Sequence, residues 1–551
     1  MSESGADKKY SNSARVVKAG DGFTVYYYGR PLYDKSSPRA SAERRTLSLT
    51  PSEHTCYIIA SPLLYYGARK LCEKLPETSM ICAVELTPEL AAITVDNVPP
   101  DTLRTIPFVT AASAAEASEA VASMLPGNIR RIELVRPNGG YRIARPEYEQ
   151  LHGVLQNEIS SHWRNVATLV HFGRRWMRNI FRNLHRATYT PPCRLQMPVV
   201  VCAAGESLER HLDSLRRHRE QLHIVAVDTA LGPLRESNIV PDSVVAIESQ
   251  VINVGDFLAG LPESTRLFFD LTTHPSVPGL THSERRHFLL TSFAPLEVLE
   301  RIHTAFPEII RLRPFASVGL AAVNLACRLS TGPVALAGFD FAYTPGKPHA
   351  RGSLSHRLSL ARDRRLSTPL LYEHAMTRHF RTGRTSGGES YTTESSLVQQ
   401  SSILAKAVPA GRSICMLTRT GPEVPLEEKT LETFLSYYAQ RHSQAHSAGN
   451  TPAADRPPSL PVSRAQAASF FSDECRRLRR VKSHGEIGGM EYLWMDFADQ
   501  TPDLLRRTHS GSVQMPASLS QFDKSLRARV LHRAESFLRF IETVTQSEYG
   551  S

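Results

Sequence analysis

A short run of small residues follows an apolar strand near the middle of the chain. The sequence VVVCAAGESL passes through Ala204 and Gly205 and predicts a helix that begins near Ser207. Small side chains let a ligand approach the backbone, and the N–H groups at a helix start bind phosphate. Ser207 is suited either to capping that helix or to hydrogen-bonding a phosphate oxygen. The junction is therefore a candidate phosphate site, although many α/β turns share this pattern without binding anything.

Three acidic residues stand at the ends of strand-like segments. Asp228 ends HIVAVD, Glu248 ends VVAIE and Asp340 ends AGFD. The carboxyl ends of parallel strands share one edge of a sheet, and ligands bind beyond that edge. Asp228 also lies about 20 residues beyond the small-residue turn, where an acidic side chain can meet a ribose hydroxyl. We expect at least one of the three to serve a ligand site; a helix cap or a structural hydrogen bond is the alternative for each.

Basic residues that suit an anionic substrate lie beyond Asp340. His349 follows this strand end closely, and His274 follows the strand LFFDL; either imidazole could act as a general base. The segment 351–384 carries eight arginines and only two acids, which predicts a mobile lid that closes on an anion. A solvated surface helix is the alternative. The arginines are Arg351, Arg357, Arg362, Arg364, Arg365, Arg378, Arg381 and Arg384.

The elements that must position these residues form two α/β regions. Strand-like and helical segments alternate over residues 22–145, which predicts a smaller N-terminal α/β domain. Buried strands alternate with helices again over 196–415, which predicts a doubly wound central domain. The other predicted regions are a flexible tail over 1–21, a helical connector over 146–195, a helix over 416–440, a disordered linker over 441–463 and a helical C-terminal appendage over 464–551.

Composition excludes several classes of protein. The chain has 551 residues, of which 41% are hydrophobic and 22% charged, so disorder throughout is excluded. No apolar run approaches the roughly 18 residues of a membrane span, and the polar start lacks a signal peptide, so we expect a cytoplasmic location. The eight cysteines include no CxxC pair, and no metal site is expected. A net charge of +11 suits an anionic partner, but no nucleic-acid-binding module is recognisable.

Longer sequence blocks resemble a known family. VVVCAAGESL, IVAVDTALGPLRESNIVPDSVVAIES and SVGLAAVNLACRLSTGPVALAGFDFAYTPGKPHARG closely resemble the 6-hydroxymethylpterin diphosphokinase MptE-like domain of motility-associated factor (Maf) proteins, which are flagellin glycosyltransferases. In that family the blocks read GPSL, then AVDTALKPL with I-x-PD, then GxDLAY with THAKG. VYYYGRPLYDKSSPRASAERR resembles the family's leader, so the likeness covers roughly residues 22–415. Bacterial sialyltransferases that use CMP-sialic acid share the GPSL and G-x-D-[FL] pattern, which implies a related Rossmann-like fold.

The resemblance implies an enzyme and its substrates. It implies transfer of a nonulosonic acid, of pseudaminic or legionaminic type, from a CMP-sugar to serine or threonine hydroxyls of flagellin, with no further cofactor. His349, at the histidine of the family motif, and Asp340 are the implied catalytic residues, and Arg351, Arg364 and Arg365 the anion-binding lid. The implied nucleotide-sugar contacts are Ala204, Gly205, Ser207, Asp228, Thr229, Glu248 and Ser317.

The sequence departs from the family pattern at several places. Glu206 replaces the family proline, which places a carboxylate beside the presumed phosphate loop. Ala316 replaces a glycine, and Glu248 replaces an aspartate. The family's glycine-rich turn in the N-terminal domain is Ser61-Pro62-Leu63-Leu64 here, so we do not expect that domain to bind a nucleotide.

Two other functions compete with glycosyl transfer. The first is pyrophosphoryl transfer from ATP to a hydroxymethyl pterin, in which magnesium would be held by carboxylates such as Asp228, Glu248 and Asp340. The second is a non-catalytic flagellin-binding assembly factor whose nucleotide fold has decayed, consistent with Glu206. Nucleotide binding discriminates between them: CMP favours glycosyl transfer, ATP with magnesium favours the kinase, and neither favours the assembly factor.

Overall fold

The computed structural model describes residues 14–186, 194–195, 197–294, 296–315, 317–330, 332–343, 348–361, 380–385, 388–418, 420–447, 464–497, 499–500 and 516–546. The chain divides into two compact units. The first unit comprises residues 1–172 and 494–516, and the second comprises residues 173–493 and 517–551.

The first unit contains an antiparallel sheet and a parallel sheet. Its elements in chain order are β1 (Arg15–Ala19), β2 (Gly22–Tyr27), β3 (Arg30–Pro31), α1 (Pro38–Leu47), β4 (Thr55–Ala60), α2 (Ala68–Cys72), β5 (Met80–Glu85), α3 (Pro88–Asn97), α4 (Pro100–Thr105), β6 (Phe108–Thr110), α5 (Ala114–Met124) and β7 (Arg131–Val135). The parallel sheet has the order β6-β5-β4-β7. Its central strand β4 is buried at every position, as a strand covered on both faces should be.

A long helix, α6 (Arg145–His185), passes from the first unit into the second. Its first turns contribute Tyr148, Leu151 and Leu155 to an apolar core of the first unit. Its last turns bury Ile180 and Phe181 in the second unit. The helical spacing of apolar residues that predicts the connector therefore corresponds to one continuous helix.

The second unit is built on a nine-stranded parallel sheet. Its first eleven elements in chain order are β8 (Val199–Cys202), α7 (Leu212–Arg217), β9 (His223–Val227), α8 (Asp228–Glu236), β10 (Ser243–Ala246), β11 (Arg266–Asp270), β12 (Arg286–Thr291), α9 (Glu297–Ala305), β13 (Ile310–Leu312), α10 (Val318–Leu329) and β14 (Val334–Ala337). They are followed by α11 (Leu354–Ala361), the hairpin β15 (Phe380–Arg384) and β16 (Ser390–Glu394), α12 (Ser395–Ala407), β17 (Ile414–Met416) and β18 (Glu427–Glu428). The strand order is β13-β12-β11-β10-β9-β8-β14-β17-β18.

Three helices complete the second unit: α13 (Leu431–Ser447), α14 (Arg464–His484) and α15 (Lys524–Gln546). Helices α14 and α15 pack on each other, and α14 also packs on α9. An aromatic cluster joins the end of α6 to these helices; it contains Phe181, Phe471, Tyr492 and Phe537. The amphipathic pattern of the C-terminal sequence thus corresponds to helices that bury their apolar faces on the sheet domain.

The structure corrects three predicted segments. Residues Arg15–Ala19, predicted as part of a flexible tail, form β1, because the chain turns at Gly20 with φ +42° and pairs with β2. The helix predicted over 416–440 begins only at Leu431, because β18 first pairs with β17. It then continues to Ser447 through residues 441–447, which were expected to belong to the disordered linker, because no glycine or proline interrupts the sequence before Gly449. Residues 448–463 lie outside the described residues.

Candidate active site

The second sheet has a topological switch point at β8. Strand β8 pairs with β9 on one side and with β14 on the other, and all three are parallel. The connections that leave β8 and β14 therefore diverge to opposite sides of the sheet and open a crevice at its carboxyl edge. Residues 203–207 follow β8 and residues 338–340 follow β14, so the two most informative sequence blocks meet there.

Asp340 and Ser207 are joined directly, although they are 133 residues apart in the chain. The Ser207 backbone N–H donates to Asp340 Oδ2 over 2.9 Å, and its hydroxyl donates to Asp340 Oδ1. Both residues are buried. The Gly205 N–H donates to the Gly338 carbonyl over 3.0 Å. These donors of the presumed phosphate loop thus bind the protein's own carboxylate and carbonyl groups.

Gly205 is required by this close approach of two strand ends. A Cβ atom at this position would lie 2.5 Å from both Asp340 Oδ2 and the Gly338 carbonyl oxygen. The helix expected to begin near Ser207 does not form: a 3-10 turn spans Glu206–His211, and α7 begins only at Leu212. The physical reason is that Asp340 binds the Ser207 N–H and holds the turn in a tighter conformation.

His349 lies against the same turn. Its ring faces the Ala204 carbonyl, which accepts the Ala350 N–H over 2.9 Å. Burial lowers the pKa of His349, while the Ala204 carbonyl and the negative charge of Asp340 oppose this shift. The imidazole is therefore neutral at neutral pH. Because the N–H of a neutral ring must face the carbonyl, the second ring nitrogen carries the lone pair and can accept a proton.

His211 is a second imidazole near Asp340, and it was not identified from the sequence. Its Nε2 lies 2.6 Å from the hydroxyl of Thr418, which follows β17. Because that hydroxyl donates to the Leu417 carbonyl, the histidine is the donor to Thr418. Burial lowers the pKa of His211, and the charge of Asp340 opposes the shift. The only feature of the sequence that could have indicated a site role for His211 is its position four residues after Ser207.

A group of carboxyl side chains lies at the ends of β9 and β10. Asp228 opens α8, is buried and accepts the Thr229 N–H over 2.8 Å. Burial raises its pKa to about 8, with further contributions from the charges of Asp256 and Glu248. Burial also raises the pKa of Glu248. At neutral pH Asp228 is therefore largely protonated and can donate a hydrogen bond.

Asp256 completes this carboxyl group and was not identified from the sequence either. It lies in a 3-10 turn at Val251–Phe257, is 6% exposed, and its Oδ1 has no hydrogen-bond partner in the described part of the chain. Burial, followed by the charge of Glu248, raises its pKa to about 6. The segment has no regular spacing of apolar residues, and its apolar side chains Val251 and Ile252 are exposed. For this reason no local sequence pattern indicated that Asp256 would be buried.

Ser317 is the N-cap of α10. Its hydroxyl accepts the Leu320 N–H over 3.3 Å. A Cβ atom on Gly319 would lie 3.1 Å from the ring of Phe339, the residue before Asp340. The N-terminus of this twelve-residue helix is therefore next to the loop that carries Asp340, where its partial positive charge favours a bound anion. Ala316 lies outside the described residues.

The described start of the arginine-rich segment is held by ion pairs. The Arg351 N–H donates to Glu209 Oε1 over 2.8 Å, and its side chain lies 3.6 Å from the same carboxylate. Arg357 donates to Glu236 over 2.6 Å. Since exposed pairs of this kind contribute little to stability, they neither fix nor exclude movement, and the lid stays a prediction. Arg364 and Arg365 lie outside the described residues.

Helix α6 fixes two loops at the carboxyl edge, which the sequence did not indicate. The Asn179 side chain donates to the carbonyls of Ser249 and Thr272 over 3.2 and 2.8 Å. The Asn183 side chain donates to the carbonyls of Leu271 and Thr273. These bonds satisfy loop carbonyls beyond the ends of β10 and β11.

His274, the second candidate base, lies in one of these fixed loops. Its backbone N–H donates to the Glu248 carbonyl over 3.1 Å. Burial lowers the pKa of its ring, and so do the charges of Arg182 and Arg175. The described contacts thus place His274 beside Glu248, and His349 beside Asp340.

Metal-ligand clusters and membrane-spanning helices are both absent from the described residues. These residues contain no group of three or more His, Cys, Asp or Glu side chains arranged to hold a metal ion. Nor do the described helices include one that is both long and apolar enough to cross a membrane.

Comparison with known proteins gives matches to one family model, to curated relatives and to a solved structure. Residues 174–346 match the family model of 6-hydroxymethylpterin diphosphokinase MptE-like proteins. An uncharacterized protein of Treponema pallidum (strain Nichols) is 28% identical over 350 residues, which is 62% of this chain and 61% of that protein. A second one from the same organism is 34% identical over 97 residues, covering 17% of this chain and 46% of that protein. The chain thus spans less than two thirds of either relative.

The structural match extends over almost the whole chain. The Maf glycosyltransferase from Magnetospirillum magneticum AMB-1 superposes with a TM-score of 0.57 at 13% sequence identity, covering 98% of this chain and 91% of that one. The expected Rossmann-like α/β fold with a helical C-terminal region is therefore confirmed. The chain therefore has the fold of that Maf glycosyltransferase, and its residues 174–346 match the MptE-like family model.

Proposed function

We propose that this protein is a glycosyltransferase that uses a nucleotide-activated sugar. The observation that carries the proposal is the arrangement at the switch point: a neutral His349 oriented by the Ala204 carbonyl, beside an Asp340 carboxylate that Ser207 holds in place. A positioned neutral base next to a fixed negative charge suits the removal of a proton from an acceptor hydroxyl. The likeness of the fold to a Maf glycosyltransferase supports the same reaction class.

In the proposed reaction, His349 accepts the proton of the acceptor hydroxyl. The hydroxyl oxygen forms a bond to the anomeric carbon of the sugar, and the bond from that carbon to the phosphate oxygen breaks. The electron pair of the broken bond stays on the phosphate of the leaving nucleotide. Asp340 stabilises the imidazolium that forms, since its charge already favours the protonated ring.

The donor we propose is a CMP-activated nonulosonic acid, which carries one phosphate and one carboxylate. The N-terminus of α10 at Ser317 offers helix N–H groups to one of these anions. Asp228, Thr229 and Glu248 lie at the neighbouring strand ends and offer hydrogen-bonding groups to the nucleoside. The protonated carboxyl of Asp228 suits an acceptor atom of the ribose or base. No cofactor is needed in this scheme.

The acceptor we propose is flagellin, modified on serine or threonine hydroxyls in the cytoplasm before export, which would support flagellar assembly and motility. This part of the proposal comes from the sequence blocks that resemble Maf proteins. Mass spectrometry of flagellin from a strain that lacks the gene tests it directly. An unchanged flagellin mass would contradict it.

Nucleotide binding and donor cleavage test the reaction class. We expect CMP to raise the melting temperature of the full chain and ATP with magnesium to have no such effect. With a CMP-nonulosonic acid, release of CMP should depend on His349 and fall in the His349→Asn variant, whose melting temperature should stay unchanged. If CMP neither stabilises the chain nor is released from the donor, the proposed function is wrong.

The second candidate is an ATP-dependent diphosphokinase acting on a pterin-like alcohol. The match to the MptE-like family model favours it. Magnesium would have to displace the proton of Asp228, whose pKa is raised to about 8, before that residue could act as a ligand. Stabilisation by ATP with magnesium, but not by CMP, would select this function. Stabilisation by neither nucleotide would select a non-catalytic assembly factor.

A further inference from the structure

A cationic surface extends from the carboxyl edge of the second sheet, at the loop after β11, towards the amino end of β12. It consists of two arginines on the last turns of α6, one directly after that helix, one at the first residue of β12 and one histidine after β11: Arg178, Arg182, Arg186, Arg286 and His274. In the part of the chain that the structure describes, none of its four guanidinium groups lies within 4.0 Å of a carboxylate. Such a concentration of one charge is unfavourable for the folded protein by itself.

In the described part of the chain, the charges that act on the pKa values of Arg178, Arg286 and His274 are those of other cations. Burial lowers the pKa of Arg178, and the charges of Arg174, Arg182 and Arg533 lower it further. Burial and the charge of Arg186 lower the pKa of Arg286. In the same way, Arg182 acts on His274, whose pKa is also lowered mainly by burial. The surface therefore presents a positive potential that a bound anion would relieve.

These side chains are held in place by neutral contacts. The guanidinium groups of Arg178 and Arg182 lie over the ring of Phe540, at 5.6 and 5.2 Å from its centre. Arg186 donates to the Pro275 carbonyl over 2.6 Å, and Arg286 donates to the Thr281 carbonyl over 2.9 Å. Carbonyls and an aromatic face orient the guanidinium groups without neutralising them. The surface is thus preorganised and keeps its charge available to a partner.

The surface is also fixed relative to the candidate active site. Asn179 and Asn183 lie on the same turns of α6 as Arg178 and Arg182 and bind the loops after β10 and β11. Through the His274 N–H, the loop after β11 contacts Glu248, a proposed donor-binding residue. An extended partner bound to this surface would lie next to the crevice in which the sugar is transferred.

We infer that this cationic surface binds an acidic segment of the polypeptide acceptor and guides its hydroxyl residues to the crevice. The inference rests on the proposed function, since it assigns the surface to the acceptor of that reaction. An acidic peptide fits because several carboxylates spaced along a chain can meet several fixed guanidinium groups, each in a charge-assisted hydrogen bond. Electrostatic attraction of this kind increases association rates and depends on salt.

The test uses the full chain and a fluorescein-labelled peptide that alternates glutamate and serine. Wild type should bind it, with an affinity that weakens as sodium chloride is raised. The double variant Arg182→Glu, Arg186→Glu should bind at least about tenfold more weakly. The matched control is Arg44→Glu, Arg45→Glu on α1, which makes the same change in net charge on two exposed arginines and should change binding less than about twofold.

The same variants and three other ligands distinguish a peptide-binding surface from a general charge effect, a lipid surface and a small-anion site. The other ligands are CMP, phosphatidylglycerol vesicles and inorganic phosphate. CMP should stabilise wild type and the α6 double variant equally, so failure of the donor site and failure of the acceptor surface give different results. Equal loss of peptide binding in both double variants would overturn the inference, because the change in net charge would then be sufficient. Binding of phosphatidylglycerol vesicles or of inorganic phosphate that is stronger than peptide binding and lost with Arg182 and Arg186 would also overturn it, in favour of a lipid surface or a small-anion site.

Discussion

The two parallel sheets of this protein have the same kind of switch point but use it differently. In the first unit β4 lies between β5 and β7, and in the second β8 lies between β9 and β14. Each strand is followed at once by a serine-containing loop. Topology alone would therefore predict a ligand crevice in both units.

In the first unit the polar groups at the switch point satisfy one another. Glu85 is buried at the end of β5 and accepts the Ser61 hydroxyl and the N–H groups of Leu86 and Thr87, and its Oε1 lies 3.4 Å from the Tyr148 hydroxyl oxygen. Burial raises its pKa to about 7. The Asn138 side chain closes the network by donating to the Ser61 carbonyl. Little hydrogen-bonding capacity remains for a ligand.

Backbone strain accompanies this filled crevice. Three buried residues after β4 that are not glycines, Ser61, Leu63 and Tyr65, have φ of +53°, +49° and +56°. Conformations of this kind cost on the order of 1 kcal/mol each or more and persist only where surrounding contacts fix them. That the N-terminal domain binds no nucleotide stays a prediction.

At the carboxyl edge of the second sheet, by contrast, chemically active groups are left available. Asp256 has a carboxyl oxygen without a hydrogen-bond partner among the described residues, and the neutral His349 can accept a proton. A Rossmann-like topology therefore supplies only a place for a ligand. The side chains at the strand ends determine whether that place becomes a packed core or a site.

The largest effect we predict is a loss of activity without a loss of stability, caused by a substitution at the second switch point. Replacing His349 by asparagine should lower the rate of CMP-sugar turnover by about 10²–10⁴-fold, because it removes the general base. The melting temperature should change little. Turnover measured by CMP release, together with thermal denaturation, checks this. A variant that retains full activity would remove His349 from the mechanism.

A smaller but still substantial change concerns the close approach of the strand ends. The Gly205→Ala variant should be destabilised by about 3 kcal/mol, because its Cβ would overlap Asp340 and Gly338. Gly140→Ala should cost a similar amount in the first unit, where the Cβ would lie 2.2 Å from Ser61 Oγ. Only the Gly205 variant should lose CMP stabilisation.

Gly153→Ala on α6 is the control for these glycine variants, since nothing lies within 4 Å of its Cβ. It should be neutral or slightly stabilising by the helix propensity of alanine. Chemical denaturation followed by circular dichroism, with and without CMP, measures all three. Loss of CMP stabilisation in a folded Gly140 variant would contradict the distinction between the two units.

An effect of intermediate size is the pH dependence of stability that Asp228 causes. The pKa of Asp228 is raised to about 8 in the folded chain and has its ordinary value near 3.8 when unfolded. Between these values the folded state binds the extra proton, so stability falls as pH rises from about 4 to about 8. Asp228→Asn should remove this loss and be more stable than wild type by roughly 2 kcal/mol at pH 8.

The control for Asp228→Asn is to repeat the comparison at several pH values. The difference in melting temperature between the variant and wild type should shrink steadily from pH 8 to pH 5 and follow no such trend for Asp213→Asn, an exposed residue on α7. A stabilisation that is constant with pH would show that the aspartate is not protonated in the folded chain.

The weakest change tests the structural role of the first switch point. Tyr148→Phe removes the hydroxyl that accepts the Ser61 N–H and donates to the Val84 carbonyl. It should cost about 1–2 kcal/mol of stability, because it leaves buried groups unsatisfied. CMP binding and CMP-sugar turnover should be unchanged. A loss of turnover at full stability would mean that the first unit takes part in the reaction.

Much of the fold followed from local pattern. Continuous apolar runs bounded by small residues indicated β8 and β14, and the acids after them indicated the carboxyl edge. The turn before Leu212 was predicted as a regular helix, because the sequence shows the helical spacing of its apolar residues but not the contact with Asp340. Asp256 was missed because it lies in a short turn with no local pattern, and His211 because it lies in the segment predicted as a helix, whose sequence gives no sign of Asp340 or Thr418 nearby.

The residue types that stand at the ends of strands can be read from the sequence, since the period of buried positions and the small-residue turns are local properties. How these residues combine depends on tertiary packing. The Ser207–Asp340 contact spans 133 residues, and the raised pKa of Asp228 depends on burial and on Asp256 and Glu248. Distances between strand ends and removal from water are set by the packed sheet, and no local pattern encodes them.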